Sequence, residues 1–316
     1  MSALVTFGET MLRLTPPGDE RIEAADRLSV HVGGAESNVA VAAQRLGMDA
    51  AWLSKLPSSP PADRIRRALR AEGVEPVVAD GKGRVGTYYL ETGARPRGSN
   101  VVYDREGAAV RTTTPDDLPL DCIREAEVFY TSGITPALSS TVADTVASLV
   151  ATANDADTRV VFDVNYRSKL WEPAAARERL RELLSHVDTL VVAERDAATV
   201  LERQGDPATV AADLAAVHDC ETVLLTRGSK GVLAVHDGDT FEQPAYEADS
   251  PYPVGSGDAL VGGYLAARHA GKSVPDALAD GAATAALART IPGDVARVSP
   301  AEVADVVTGD ADALSR

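Results

Sequence analysis

The sequence contains little lysine, cysteine and aromatic residue, and it lacks a long hydrophobic run. Five lysines stand among 31 basic residues, against 47 acidic ones, and the net charge of −16 disfavours contact with nucleic acid or an anionic membrane surface. The two cysteines, Cys122 and Cys220, do not have the spacing of a metal site or a redox motif. The N-terminus MSALVTFGE shows no secretory leader, and no apolar stretch approaches the ~20 residues of a membrane span. We therefore expect a cytoplasmic protein without nucleic-acid or membrane partners.

The excess of acidic residues also indicates the environment of the protein. The isoelectric point is near 4.7, and arginine supplies most of the positive charge. A surface rich in carboxylates keeps a protein soluble in concentrated salt. We therefore favour a halophilic protein over an ordinary acidic cytosolic protein.

Two common nucleotide-binding motifs are absent as well. The chain contains no GxxxxGK[ST] loop, and no GxGxxG follows its first predicted strand. Any nucleotide must therefore be bound by other turns.

Short apolar runs alternate with amphipathic segments along the chain. The predicted buried strands are Leu4–Phe7, Ala50–Ser54, Val128–Gly133, Val160–Val164, Thr189–Ala193 and Thr222–Thr226. The predicted helices are Ala35–Leu46, Pro61–Glu72, Ser139–Ala153, Pro173–Ser185, Glu194–Gln204 and one that begins at Asp258. This alternation predicts right-handed crossovers and a mostly parallel sheet that is covered on both faces. The fold class is therefore α/β, and we expect residues 1–316 to form a single domain.

Two segments interrupt this alternation. Residues 11–32 and 84–104 are extended without helices between them. Within the second segment, RVGTYYLETG and GSNVVYDREG have the pattern of an antiparallel hairpin with ARPR near its turn. We predict a small β-sheet there, beside the main one. Such a sheet is able to close over a ligand as a lid and exclude water, although an ordinary edge extension has the same pattern.

The stretch PVGSGDAL, residues 253–260, combines a glycine turn with an acid. Gly255 and Gly257 permit a tight turn around Ser256, and Asp258 follows at the start of a predicted helix. The free N–H groups at a helix N-terminus bind anions, and a carboxylate beside them is able to accept a proton. This combination suits phosphoryl transfer. The alternative is an acid that only benefits from the helix dipole.

Two further glycine clusters are candidate ligand turns. Gly33 and Gly34 open a helix in VGGAESNVAVAAQRLG and permit close approach of the backbone to a ligand, and Asn38 is able to offer its amide to a hydroxyl. TRGSKG, residues 226–231, follows a predicted strand. It is either a phosphate-binding turn for a nucleotide or a plain hairpin turn. Its candidate nucleotide contacts are Thr226, Gly228, Ser229 and Gly231.

These clusters, in this order, resemble the PfkB (ribokinase-like) family of carbohydrate kinases. GGAESNVAVAAQRLG matches the first signature of that family and VGSGDALVGGYLA the second, and the resemblance covers essentially the whole chain. It implies a ribokinase-like, Rossmann-type three-layer α/β/α domain with a small β-sheet lid, ATP as donor, and Mg²⁺ or another divalent cation. By this resemblance Asp258 is the catalytic base and Gly255, Ser256 and Gly257 form the anion hole, with both glycines also contacting the nucleotide. A homo-oligomer is implied as well, since lid strands in the family often pair into dimers.

Some positions depart from the family pattern. The NxxE element that helps organise metal and phosphates is expected after Thr189–Ala193, where this chain has Ala193 and Asp196. The metal ligands therefore stay unassigned. Tyr252 replaces the Asp that usually precedes the glycine turn, which puts a monovalent-cation site in doubt. Leu260 replaces the aromatic residue after the turn, and we interpret that as a change in the core.

Within the family, FGETMLRLTPPG, YYLE, VVYDREGAAV and FDVNYR are most similar to 2-keto-3-deoxygluconate kinases. The residues themselves fit a sugar acid, because arginine binds a carboxylate in a bidentate fork. Tyr103 and Arg105 are predicted on one face of a lid strand, and Arg167 follows a core strand at the edge where ligands bind. By resemblance, the substrate contacts are Gly34, Tyr88, Tyr103, Arg105, Arg167, Asp258 and Asp294, in addition to Gly33 and Asn38. Tyr89 takes the place of Tyr88 if the register is shifted by one residue.

The resemblance implies ATP-dependent phosphorylation of 2-keto-3-deoxygluconate to its 6-phosphate, in sugar-acid catabolism of the Entner–Doudoroff type. The galactonate-derived acid differs at one stereocentre, and the sequence leaves both acceptors open. A kinase for fructose, ribose or a sugar phosphate is the main alternative, because YPVGSGD also resembles fructose 1-phosphate kinases. Arg105 and Arg167 would serve a phosphate equally, or they are surface ion pairs. A non-catalytic sugar-binding module is a third interpretation, although such a module does not need Asp258.

Overall fold

The computed structural model describes residues 2–18, 20–93, 96–249, 252 and 254–309. Within these residues, a large sheet has nine strands in the order β13-β12-β11-β10-β9-β8-β1-β4-β5, and a small sheet has the order β3-β2-β6-β7. The strands are β1 (Leu4–Phe7), β2 (Met11–Thr15), β3 (Ser29–Gly33), β4 (Ala50–Pro57), β5 (Glu75–Gly81), β6 (Thr87–Glu91), β7 (Asn100–Asp104), β8 (Val128–Ser132), β9 (Arg159–Asp163), β10 (Thr189–Ala193), β11 (Thr222–Thr226), β12 (Val232–His236) and β13 (Asp239–Gln243). The helices are α1 (Ala35–Arg45), α2 (Pro60–Ala71), α3 (Asp121–Arg124), α4 (Ser140–Asn154), α5 (Pro173–Leu184), α6 (Glu194–Thr199), α7 (Pro207–His218), α8 (Ser256–His269), α9 (Val274–Ala288) and α10 (Pro300–Thr308).

The centre of the large sheet is parallel, as the alternation of strands and helices predicts. Every neighbouring pair from β5 across to β11 is parallel, and the β12–β13 hairpin extends one edge in antiparallel fashion. Val223, Leu224 and Leu225 of β11 are all fully buried, because helices cover both faces of the sheet. The six predicted strands are confirmed to within three residues, and β1, β10 and β11 have the predicted bounds.

Helices pack on both faces of the sheet and give the predicted three layers. One core cluster includes Leu149 of α4 and Leu180 of α5. The other cluster includes Val39 of α1 and Leu265 of α8. No helix in the described part of the chain is long and apolar enough to cross a bilayer.

The bounds of two helices differ from the prediction. α6 ends at Thr199 rather than at Gln204, because Glu202 adopts a positive φ of 54° that interrupts helical geometry. α8 begins at Ser256, two residues before the predicted start at Asp258. The glycine turn thus forms the N-terminal end of α8. Residue 253, the first of PVGSGDAL, lies outside the described residues.

The predicted small sheet is present, and its strands lie within one residue of segments 11–32 and 84–104. We keep the name lid for this sheet. β6 and β7 form the predicted antiparallel hairpin and pair Tyr88 with Tyr103, whose ring centroids are 5.8 Å apart. β2 joins β6 in parallel and sets Arg13 beside Tyr88. Residues 94 and 95 of ARPR lie outside the described part of the chain. The lid covers the carboxyl ends of the parallel strands, where ligands bind in such sheets.

Candidate active site

A cavity of about 670 Å³ lies between the lid and the carboxyl ends of the parallel strands. It brings together most of the predicted site residues, although they come from segments that are far apart in the chain. The predicted residues that line it are Gly33, Gly34, Asn38, Tyr88, Tyr103, Arg105, Arg167, Thr226, Gly228, Gly255, Ser256, Gly257, Asp258 and Asp294. Ser229 and Gly231 are not in this lining. Tyr88, and not Tyr89, faces the cavity, so the first choice of register agrees with the structure.

The glycine turn places the entrance of α8 at the cavity. Gly255 has a φ of 81° and is the N-cap, and Ser256, Gly257 and Asp258 form the first helical turn. The carbonyl of Gly255 accepts from the N–H of Ala259 at 2.9 Å and so begins the hydrogen bonding of α8. The first N–H groups of a helix have no partner within it, so they are able to bind a negatively charged group.

Gly255 has no room for a side chain. A Cβ atom there would overlap the carbonyl oxygen of Asp294, and the φ of 81° is itself unfavourable for other residues. We therefore expect Gly255→Ala to lower the melting temperature by several degrees, from a strain of ~1–2 kcal/mol plus the overlap. Gly271→Ala is the matched control, because Gly271 has a φ of 79° with open space around it. Equal losses in the two variants, measured by thermal unfolding, would mean that the overlap relaxes without cost.

Asp258 is positioned by Asn38 across the cavity. The side-chain amide of Asn38 donates to Oδ2 of Asp258 at 2.7 Å. Burial raises the pKa of Asp258 to about 6, while the bond from Asn38 and the charge of Arg167 oppose that rise. The carboxylate is thus mostly ionised at neutral pH, yet basic enough to take a proton from a bound hydroxyl. Asn38, predicted to meet a ligand hydroxyl, here contacts the acid itself.

Asp294 links the lid to the entrance of α8. Its Oδ1 accepts from Nη1 of Arg13 at 2.9 Å and from the hydroxyl of Tyr88 at 3.0 Å. Burial raises its pKa, although Arg13 and Tyr88 oppose that effect. Its carboxyl group lies against Gly33 and its carbonyl against Gly255, so both glycine clusters pack on this one residue. Oδ2 is buried and has no hydrogen-bond partner among the described residues.

Arg105 lies on the cavity side of the lid rather than on the surface. It is 8% exposed, and its Cζ lies 4.2 Å from the centre of the Tyr103 ring. The predicted common face of these two residues is therefore present, as a cation–π contact. Nη1 of Arg105 is 3.2 Å from Oε2 of Glu9, which is also buried. Burial raises the pKa of Glu9, while Arg105 and Arg111 oppose the rise.

Arg167 lines the cavity from the loop after β9. Its Nη1 donates to the carbonyls of Asn165 at 3.3 Å and Tyr166 at 3.1 Å. Its charge lowers the pKa of both Asp163 and Asp258. Burial and the neighbouring Asp258 nevertheless raise the pKa of Asp163 to about 8. Arg167 thus supplies positive charge close to both acids, of which Asp258 is the candidate base.

TRGSKG is the turn between the antiparallel strands β11 and β12, so its topology is that of a hairpin. Thr226 and Gly228 reach the cavity. Ser229 is exposed, and Gly231 packs against the backbone of Gln243. A nucleotide role for these residues stays a prediction, with Thr226 and Gly228 in the better place for it.

Carboxylates suited to a divalent cation lie beside that turn. Glu194 and Asp196 line the cavity at the end of β10, where Ala193 replaces the expected Asn. Oδ2 of Asp196 accepts from the N–H of Tyr166 at 3.3 Å, and Oε2 of Glu194 is 3.9 Å from Nζ of Lys230. Mg²⁺ prefers oxygen ligands of this kind, so the side chains present fit such an ion.

Several residues that line the cavity are not among the predicted site residues. They are Glu9, Met11, Ala35, Leu90, Val101, Ile134, Asp163, Asn165, Val191, Glu194, Arg195, Arg227 and Val254. Glu9, Asp163 and Arg227 share a signal, because each lies at or just after the carboxyl end of a parallel strand. The rule that identified Arg167 would have found them too.

Known proteins resemble this chain along almost its whole length. The profile of a family described as pfkB family carbohydrate kinase matches residues 1–301. A 2-dehydro-3-deoxygalactonokinase of Haloferax volcanii is 55% identical over 307 residues, which cover 97% of this chain and 96% of that protein.

Solved structures share the fold. The 2-dehydro-3-deoxygluconokinase of Thermotoga maritima superposes with a TM-score of 0.92 at 32% identity, covering 97% of this chain and 98% of the other. A candidate ribokinase II of E. coli, solved in complex with ATP and Mg²⁺, superposes with a TM-score of 0.89 at 19% identity and covers 98% of this chain and all of the other. At that identity the second match supports the fold alone.

Proposed function

The chain belongs to the pfkB family of carbohydrate kinases, and from that premise we propose that it transfers a phosphoryl group from ATP to the 6-hydroxyl of a 2-keto-3-deoxy sugar acid. The acceptor is 2-keto-3-deoxygluconate or its galactonate-derived epimer. The relative named for the galactonate-derived acid is the more similar in sequence, and the structure named for the gluconate-derived acid shares the fold. Both acids therefore belong in the first test.

The observation that carries this proposal is the separation of charges within one cavity. Arg105 stands on the lid, and Asp258 stands at the entrance of α8. A sugar acid has a carboxylate at C1 and its primary hydroxyl at C6, so it needs a cation at one end and a base at the other. Arginine meets the first need with its planar fork, and Asp258 meets the second.

The chain's own groups account for the chemistry of transfer. Asp258, held by Asn38, accepts the proton of the 6-hydroxyl as that oxygen attacks. The N–H groups at the N-terminus of α8, which the glycine turn brings to the cavity, stabilise the charge on the phosphoryl group in transit. The lid covers the acceptor and keeps water from competing for the phosphoryl group.

ATP and a divalent cation are the proposed cofactors. We propose that Thr226 and Gly228 contact the nucleotide and that Glu194 and Asp196 lie toward the cation. A bound Mg²⁺ would neutralise phosphate charge. Because Ala193 stands where the family has Asn, the side chains offered to the cation here are carboxylates.

An acceptor panel tests the proposal. ADP release should be measured with the two epimeric acids, fructose, ribose and fructose 1-phosphate, and the product should be identified by NMR. We expect kcat/KM for at least one acid to exceed that of every other acceptor by at least about tenfold, with phosphate on O6. A higher value for a neutral sugar or a sugar phosphate would replace this proposal with the neutral-sugar alternative.

We also propose that the protein works in a salt-rich cytoplasm. The net charge of −16 makes the folded chain repel itself at low ionic strength, and added salt screens that repulsion. The melting temperature should therefore rise clearly between dilute buffer and molar KCl. A flat or falling profile would contradict halophilic adaptation.

A further inference from the structure

Glu9 is a buried carboxylate that lines the cavity two residues after β1. The residue is 3% exposed. A Cβ on Gly86 would approach Oε1 of Glu9 to 2.6 Å, and Gly34 packs on the Glu9 carbonyl. Gly86 thus leaves room for the Glu9 side chain beside the cavity.

Several polar atoms of Glu9 and of its partner Arg105 have no hydrogen bond to the part of the chain that the structure describes. Neither Oε1 nor Oε2 of Glu9 accepts a hydrogen bond from a described residue, and Nε and Nη1 of Arg105 likewise donate none to the described part of the chain. The two side chains form an ion pair at 3.2 Å. Proteins leave few buried polar groups without hydrogen bonds, so a cluster of them beside a cavity points to the polar groups of a ligand.

The chemistry of these atoms defines that ligand. Arg105 needs an acceptor, and Glu9 needs a donor close to that acceptor. In the open-chain 2-keto-3-deoxy acid, C1 is a carboxylate, C2 is a ketone and C3 is a methylene. The first hydroxyl donor along the chain is therefore on C4.

We propose that Glu9 accepts a hydrogen bond from the 4-hydroxyl of the sugar acid whose carboxylate binds Arg105. This inference rests on the proposed function. C4 is the stereocentre at which the gluconate- and galactonate-derived acids differ, so Glu9 is a specificity-determining residue. Asp258 is assigned to the 6-hydroxyl, and Asp294 is already engaged by Arg13 and Tyr88.

A substrate–variant cycle tests this contact. Wild type and Glu9→Gln are each assayed with both epimers and with the 4-deoxy analogue of the acid. Loss of the 4-hydroxyl should lower kcat/KM of the wild type by about tenfold or more, the usual effect of losing a hydrogen bond to a charged group. For Glu9→Gln, the fold decrease in kcat/KM on loss of the 4-hydroxyl should be smaller than that of the wild type by a factor of at least about three. The variant's preference between epimers should change by a similar factor.

Glu106→Gln is the matched control, because Glu106 is the exposed neighbour of Arg105 in the chain and should behave as wild type. If Glu9→Gln lowers all acceptors by one common factor, Glu9 only orients Arg105 and the proposal is overturned. If the wild type phosphorylates neither acid, the proposed function fails first and this inference fails with it. If Glu9→Gln does not fold, Glu9→Asp takes its place, since it keeps the charge and withdraws the carboxylate from the 4-hydroxyl.

Discussion

Asp258→Asn should reduce kcat by ~10²–10⁴-fold while the KM for the sugar acid changes little. Asparagine has the same shape as aspartate and is still able to contact Asn38. It is not able to accept the proton of the attacking hydroxyl. The measurement is ADP release at saturating ATP and acceptor, with binding followed by calorimetry. Turnover near the wild-type value would remove Asp258 from the mechanism.

Asp276→Asn is the matched control for the helix-dipole interpretation. Asp276 is the first-turn acid of α9 and is exposed, so it shares the dipole position of Asp258 without facing the cavity. Its loss should leave kcat unchanged.

The pH profile gives an independent check on the base. Since burial raises the pKa of Asp258 to about 6 and the base acts ionised, kcat should fall as pH drops through about 6. The Asn variant should lack this acid limb.

Arg105→Ala and Arg167→Ala should each lower kcat/KM for the sugar acid by ~10–150-fold at 25 °C. A charge-assisted hydrogen bond contributes about 1.5–3 kcal/mol, which sets that range. KM for ATP should stay nearly unchanged, because neither arginine belongs to the turns at 226–231 or 255–257. Lysine should restore only part of the loss, since it lacks the planar fork.

Two controls separate substrate binding from structure. Arg124→Ala removes an exposed arginine that pairs with Asp121 and should have no effect on activity. Turnover of fructose, where it is measurable, should not fall in parallel with that of the acid. Intact kcat/KM for the acid in both variants would make the neutral-sugar kinase the leading interpretation. Thermal unfolding of Arg105→Ala would show whether Glu9, left without its partner, destabilises the fold.

Local pattern determined the elements of the large sheet. β1, β10 and β11 were predicted with their observed bounds, because a strand that is buried on both faces is a continuous apolar run in the sequence. The sequence also predicts the glycine turn at Gly255 and the helix after it, since the formation of a turn depends on adjacent residues. The lid hairpin followed from its alternating pattern, which set Tyr88 opposite Tyr103.

Strand topology determines where ligands bind, because the carboxyl ends of the parallel strands meet at one edge of the sheet. The sequence predicts Arg167 on this ground, and the same ground applies to Asp163 and Glu9, which lie in equivalent places. Resemblance supplied Asp294, for which no local pattern predicts a site.

Only the tertiary structure decided which side chains pair inside the site. Asp294 meets Arg13 and Tyr88 across more than 200 residues of chain, and Glu9, which follows the core strand β1, meets Arg105, which follows the lid strand β7. Glu36 looks like an ordinary first-turn acid in GGAESNVA, yet it is buried and accepts from Ser132 and Thr135, each at 2.7 Å.

The physical reason is the range of the interactions. Hydrophobic periodicity and turn geometry involve residues within a few positions of one another, so a single sequence displays them. A buried ion pair depends on how distant segments pack and on how much water they exclude, because exclusion of water sets both its strength and its cost. The sequence therefore determined the fold and the chemical inventory of the site, and the packing of the lid against the sheet decided which acid holds which arginine.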